Sequence, residues 1–110
     1  MMTNSKFSFY RELTKRIQEI AKNYFIALRK TQIKGLTLSD SESEENDYER
    51  HVRRVKNAFD SLDALEKTFI NNEFFYEDYP DWWNKTFSKT TYYRLRRRSM
   101  IRFVEAFESE

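Results

Sequence analysis

The chain of 110 residues contains one glycine and one proline, where ordinary usage predicts about 7% and 5%. Tight hairpins need residues that tolerate positive φ, above all Gly, so a turn-dense β fold is excluded and helix is what remains. The absence of cysteine likewise excludes a disulfide scaffold and a Cys-ligated zinc domain. A charged fraction of 35% suits a solvated surface, while ten Phe, seven Tyr and two Trp supply the bulky core material that disordered chains lack. At this length one compact core is expected, burying roughly two-thirds of the surface an unfolded chain exposes. The expected fold is all-α: a single-domain bundle of about five helices with a C-terminal helix-turn-helix.

Apolar periodicity places the elements. Tyr10, Leu13, Ile17, Ile20, Tyr24 and Leu28 recur at steps of three and four, which puts them on one stripe of a helix spanning 6–34. Gly35 follows and is expected to turn the chain out through a left-handed conformation. The segment 35–43 reads as a loop, and Ser41 with Glu44 as a capping box for a second helix at 44–60, carrying Tyr48, Val52, Val55 and Phe59. Asp63 with Glu66 repeats that signature and opens a unit at 62–108. Within it, Leu65, Phe69, Phe74 and Phe75 continue a third helix. Pro80 starts a short one holding Trp82 and Trp83, and Ser88 caps a last one through Tyr92, Leu95, Ser99, Phe103 and Phe107.

The net charge of +2 conceals segregation. Residues 1–34 carry eight Lys/Arg against two acids, a net +6, and residues 35–66 carry four against nine, a net −5. Residues 67–87 are at −2 and residues 88–110 at +3, with all six cations of that last block between Lys89 and Arg102 and no acid among them. Clustered cations create a local positive potential and so point to an anionic partner. No secretory signal is read at the start, and no apolar run approaches the roughly 20 residues that span a bilayer. The expectation is a cytoplasmic protein without a membrane partner.

A short helix, a tight turn and a capped basic helix have the layout of a helix-turn-helix, whose second helix enters the DNA major groove. With Tyr92, Leu95, Ser99 and Phe103 inward, Lys89, Thr90, Tyr93, Arg94 and Arg97 share the outer side. Lys89, Thr90, Thr91, Tyr93 and Arg94 are then the candidates for base edges, and Arg96, Arg97, Arg98 and Arg102 for phosphates. The expected function is a sequence-specific, duplex-DNA-binding transcription regulator that reads the major groove with helix 89–108.

The run from Ser88 to Phe103 resembles the recognition helix of the fourth region of bacterial sigma factors. Leu62-Asp-Ala-Leu-Glu resembles the helix that opens that module. Trp82-Trp83 together with Ser88-Lys-Thr-Thr-Tyr-Tyr-Arg is similar to small phage-type transcription regulators of the ArpU and RinA kind and to related mollicute proteins. The resemblance spans Leu62 to Phe107, and it implies base contacts from Lys89, Thr90, Thr91, Tyr93 and Arg94. Thr86 stands where that turn often has Gly, and Trp82 near a position usually filled by a small residue.

Other chemistries find little support in the residues. There is no Gly-rich phosphate loop and no nucleophile motif, so an enzyme is not expected. The acids of 40–49 lack the glycine and the ligand spacing of an EF-hand, and neither a metal nor another cofactor is expected. His51 lies among Arg50, Arg53 and Arg54 and reads as a solvated side chain. Leu13, Ile17, Ile20, Tyr24 and Leu28 read either as the monomer's core or as the seam of a homodimer. The alternative to DNA reading is a helical protein-protein interaction module whose basic surfaces engage RNA polymerase or another acidic protein. RNA binding would need Trp82, Tyr92 and Tyr93 exposed in one row.

Overall fold

A computed structural model describes residues 2–37, 46–77 and 79–109, with side chains described from 8 to 31 and throughout the second and third stretches. Four α-helices account for most of it: α1 (Met2–Thr37), α2 (Asp47–Asp60), α3 (Ala64–Ile70) and α4 (Lys89–Glu108). A single π-helical turn, Asn71–Phe75, extends α3. No strand occurs among the described residues. None of the described helices is long and apolar enough to cross a membrane.

Helix α1 is longer at both ends than the periodicity suggested. Its 36 residues span about 54 Å at 1.5 Å per residue, matching the 52 Å long axis of the molecule. Gly35 lies inside this helix, and no described glycine has a positive φ. Glycine permits a left-handed exit without compelling one, and its cost inside a helix is about 1 kcal/mol. The expected loop at 35–43 therefore gives up its first three residues to α1, and the Ser41–Glu44 capping box lies outside the described residues.

Helix α2 starts at Asp47 under a different cap. The Asn46 side chain accepts from Glu49 N at 2.8 Å, and Glu49 Oε1 accepts from Asn46 N at 3.0 Å. The box expected at Asp63 and Glu66 forms with the same geometry, 2.8 and 3.0 Å. Both satisfy helix N–H groups that would otherwise lack partners.

Two apolar clusters hold the elements together. In the larger, Leu13, Ile17 and Ile20 of α1 meet Val55 and Ala58 of α2 and Met100, Phe103 and Phe107 of α4. Ile17 and Phe103 are completely buried. The stripe weighed as a dimer seam is thus the monomer's own core: Leu13, Ile17 and Ile20 are buried, and half-buried Tyr24 packs edge-on against Phe75 at 5.6 Å. Leu28 is half-buried. Leu13, Ile17 and Ile20 therefore have no surface left for a second copy.

The smaller cluster joins Phe69 to Tyr92 and Leu95, with Leu65, Trp82, Trp83 and Phe87 packed around them. Tyr92 lies between two rings, Trp83 at 4.1 Å and Phe69 at 5.7 Å. The short helix expected at Pro80 is instead a succession of turns through Thr86, bonded from Trp82 N to Tyr79 O, Asn84 N to Asp81 O and Thr86 N to Trp83 O. Two indoles drawn to the same aromatic cluster favour these turns over a regular helical face. The five-helix count is therefore corrected to four α-helices among the described residues, and α3 and α4 are joined by a long aromatic connection where a tight turn was expected.

Candidate functional site

The first two turns of α4 present exposed basic side chains at the start of the helix. Ser88 caps the helix as expected: its Oγ accepts from Thr91 N at 3.2 Å and donates to Thr91 Oγ1 at 3.0 Å. This arrangement leaves Thr91 half-buried and occupied, so of the five residues proposed for base contact Thr91 serves the cap. Lys89, Thr90, Tyr93 and Arg94 are exposed, and they lie on one end of the helix. Neither Lys89 nor Arg94 has a hydrogen bond or an ion pair among the described residues. Positive side chains at a helix N-terminus oppose the macrodipole, so their placement adds to the positive potential there instead of relieving it.

The remaining arginines of α4 are held by acids or rings. Arg96 Nε donates to Glu73 Oε1 at 2.8 Å, with its guanidinium 5.2 Å from the Phe74 ring. Arg98 donates to Glu66 Oε2 at 3.2 Å and Asp63 Oδ2 at 3.3 Å, and Arg102 donates to Glu66 Oε2 at 2.8 Å. Arg97 stacks over Tyr10 of α1 at 4.4 Å. Arg96, Arg98 and Arg102, expected to face phosphates, each have a carboxylate partner, and Arg98 and Arg102 remain about half exposed. Arg97 keeps its charge exposed, with its guanidinium over an aromatic ring.

Two carboxylates organise this arrangement: Glu66 was expected only as a capping residue, and Glu73 was not singled out from the sequence. Glu66 is 1% exposed and serves the Asp63 cap through one oxygen while holding two arginines with the other. Glu73, in the π-helical turn, accepts from Trp82 Nε1 at 2.6 Å, from the Tyr92 hydroxyl at 2.8 Å and from Arg96. Burial, and then its hydrogen bond to Glu73, pushes the Tyr92 phenol above its ordinary value of 10.0. The usable signal was their separation: seven residues apart on a helical pattern, Glu66 and Glu73 recur on one face, and that face is otherwise lined by Phe69 and Ile70.

Elsewhere, Arg54 Nη2 donates to the Phe107 carbonyl at 2.8 Å and Arg16 meets Glu108 at 2.6 Å. The C-terminal end of α4 is thereby tied to α1 and α2, with cations where the dipole favours them. His51 is not solvated: it is half-buried, its ring stands edge-on to Phe107 at 5.5 Å, and its Nε2 donates to the Ile20 carbonyl at 3.2 Å. Because a carbonyl can only accept, Nε2 carries the proton. Tyr93 is outside as expected, together with Phe9, Tyr48, Tyr76 and Tyr79. The exposed row of Trp82, Tyr92 and Tyr93 required for RNA does not form, since Tyr92 is buried.

The chain matches no family model, no curated protein and no solved structure.

Proposed function

We propose that the protein binds duplex DNA and regulates transcription, presenting the N-terminal turns of α4 to the major groove. One observation carries this reading: Lys89, Thr90, Tyr93 and Arg94 are exposed together at a Ser88-capped helix start, and the two cations among them have no partner among the described residues. Arg94 or Lys89 suits the guanine acceptors, and Thr90 a thymine methyl or a phosphate. The resemblance of Ser88 to Phe103 to a sigma-type recognition helix agrees with this choice of residues. In this reading the protein is a binding module, not an enzyme.

Fluorescence anisotropy with pooled random duplexes at about 50 and about 200 mM salt tests the proposal, because phosphate contacts make affinity fall steeply between those limits. Binding that weakens with salt and is lost in Lys89→Ala/Arg94→Ala is the expected result. Equal binding by that variant would overturn it.

A second reading, engagement of an acidic protein such as a component of the transcription machinery, draws on the fate of the other arginines. Arg96, Arg98 and Arg102 are paired internally and Arg97 is stacked on Tyr10. This leaves fewer cations for a phosphate backbone than the sequence offered. Loss of an acidic partner in Lys89→Ala/Arg94→Ala, with no duplex binding by the parent protein, favours this second reading.

A further inference from the structure

The outer side of α1 carries a row of cations unrelated to the core. Arg11, Lys15, Lys22 and Arg29 are all exposed, and at 3.6 residues per turn they fall within a sector of about 40°. From Arg11 to Arg29 the row is about 27 Å long at 1.5 Å per residue. None of the four has a hydrogen bond, ion pair or ring contact among the described residues. Glu12 and Glu19 lie to one side of the row and form no ion pair with Lys15 or Lys22, although the i,i+3 spacing would permit it. Like charges at i,i+4, as at Arg11 and Lys15, repel by a few tenths of a kcal/mol. The row is thus an uncompensated line of charge on a helix whose apolar side is already spent.

That last point decides between kinds of partner. A basic amphipathic helix commonly lays its apolar face on a membrane or in a partner's groove, but here Leu13, Ile17 and Ile20 are buried in the core. Protein interfaces centre on aromatic or aliphatic anchors. Along this row the polar Gln18 separates Lys15 from Lys22, and only Ile26, 37% exposed, is apolar at its edge. A straight line of charge without anchors suits a partner that is itself a uniformly charged rod. A duplex carries one charge per about 1.7 Å of axis, so a line of about 27 Å runs beside roughly 16 of them.

We infer that the outer row of α1, Arg11, Lys15, Lys22 and Arg29, is a second contact surface for the sugar-phosphate backbone of duplex DNA, indifferent to sequence. The inference takes its ligand from the reading of α4 above, but its residues are separate and so is its test. The row faces away from the side of α1 that packs on the body, so it adds affinity and salt dependence while α4 supplies any preference among sequences.

The test compares the parent protein, the α1 variant Arg11→Gln/Lys15→Gln/Lys22→Gln/Arg29→Gln and the α4 variant Lys89→Ala/Arg94→Ala by anisotropy against pooled random duplexes. All six substitutions are at exposed positions, and circular dichroism checks the fold. If four phosphate contacts are lost, the log-log salt slope of the α1 variant becomes shallower by about 3.6, so between about 50 and about 200 mM salt its affinity falls roughly 100-fold less than that of the parent. A parent-like slope in the α1 variant overturns the inference, and loss of binding in the α4 variant alongside it leaves the α4 reading standing. Reduced slope in the α1 variant with unchanged binding in the α4 variant upholds the row and removes the α4 reading. No duplex binding by the parent at low salt removes both, and capture of polyglutamate through the same four residues would then assign the row to an acidic protein.

Discussion

Replacing Glu73 by Ala should cost more stability than any single truncation of an exposed charge, and the size of the loss follows from its surroundings. The carboxylate is 11% exposed and Arg96 is 25% exposed, so solvent screens the pair little. Removing one partner of such a pair typically costs 3 to 5 kcal/mol, because the other charge stays behind unpaired. The indole of Trp82 and the phenol of Tyr92 also lose their acceptor, but Trp82 is only half-buried and Glu73 lines a pocket open to solvent, so water can replace part of what is lost. A loss of about 3 kcal/mol is therefore expected from the lower end of that range. For a domain of this size it corresponds to a fall in Tm of roughly 12 °C. With a urea m value of about 1.5 kcal/mol/M, the unfolding midpoint drops by about 2 M. Urea titration followed by circular dichroism measures this directly, and tryptophan emission reports on the connection between α3 and α4, since Trp82 and Trp83 are the only indoles. Emission should move to the red at lower urea than the loss of helix. A total loss below about 1 kcal/mol, or a coupling below about 0.5 kcal/mol in a Glu73→Ala/Arg96→Ala cycle, would refute the claim that this carboxylate fixes the start of α4.

Further outcomes follow from the same contacts. Glu66→Ala removes the partner of Arg98 and Arg102 as well as half of a capping box; because both guanidinium groups are about half exposed, a loss of about 2 kcal/mol is expected in the same urea assay. Ser88→Ala should cost about 1 kcal/mol by loss of the α4 cap, and Ser88→Asp should restore most of it. The raised Tyr92 phenol makes the folded state bind more protons than the unfolded one above pH 10, so stability is full below that pH and declines above it by up to about 1.4 kcal/mol per pH unit. Absorbance titration should show this phenol ionising only with unfolding, and its ionisation near pH 10 in the native protein would count against the buried hydrogen bond to Glu73. Sedimentation at high micromolar concentration should show a monomer, because the stripe from Leu13 to Ile20 lies within the core.

The sequence was most legible where one residue's local chemistry decides the outcome. The Asp63–Glu66 box, the Ser88 cap and the inward set Tyr92, Leu95, Ser99, Phe103 all appear as read, because capping and helical spacing depend on neighbours within a turn. What escaped depended on distant partners. Pro80 to Thr86 has the residues of a helix start, but Trp82 and Trp83 are drawn to Phe69 and Tyr92, and the aromatic cluster overrides the local preference. At the candidate site, counting cations on α4 could not distinguish Arg94, which has no partner among the described residues, from Arg96, whose carboxylate comes from 23 residues upstream. Gly35 was misread for a related reason: its freedom to end a helix was taken as a requirement to do so.

The π-helical turn, closed by Tyr76 N and Asn71 O at 2.8 Å, has a consequence for how the chain tolerates change in length. A wider turn lets three consecutive side chains find interior partners: Glu73 the hydroxyl and indole donors, Phe74 the guanidinium of Arg96, and Phe75 the rings of Tyr24 and Phe103. An α-helical turn advances by about 100° per residue and cannot keep all three facing inward. Loss of one codon between Asn71 and Phe75 would thus rotate everything beyond it, disengaging carboxylate and phenylalanine pair together, whereas an added residue in the exposed stretch from Asn84 to Thr86 would be absorbed. The reading frame of contacts in this protein is set at one turn, and its most vulnerable property there is the number of residues, ahead of their identity.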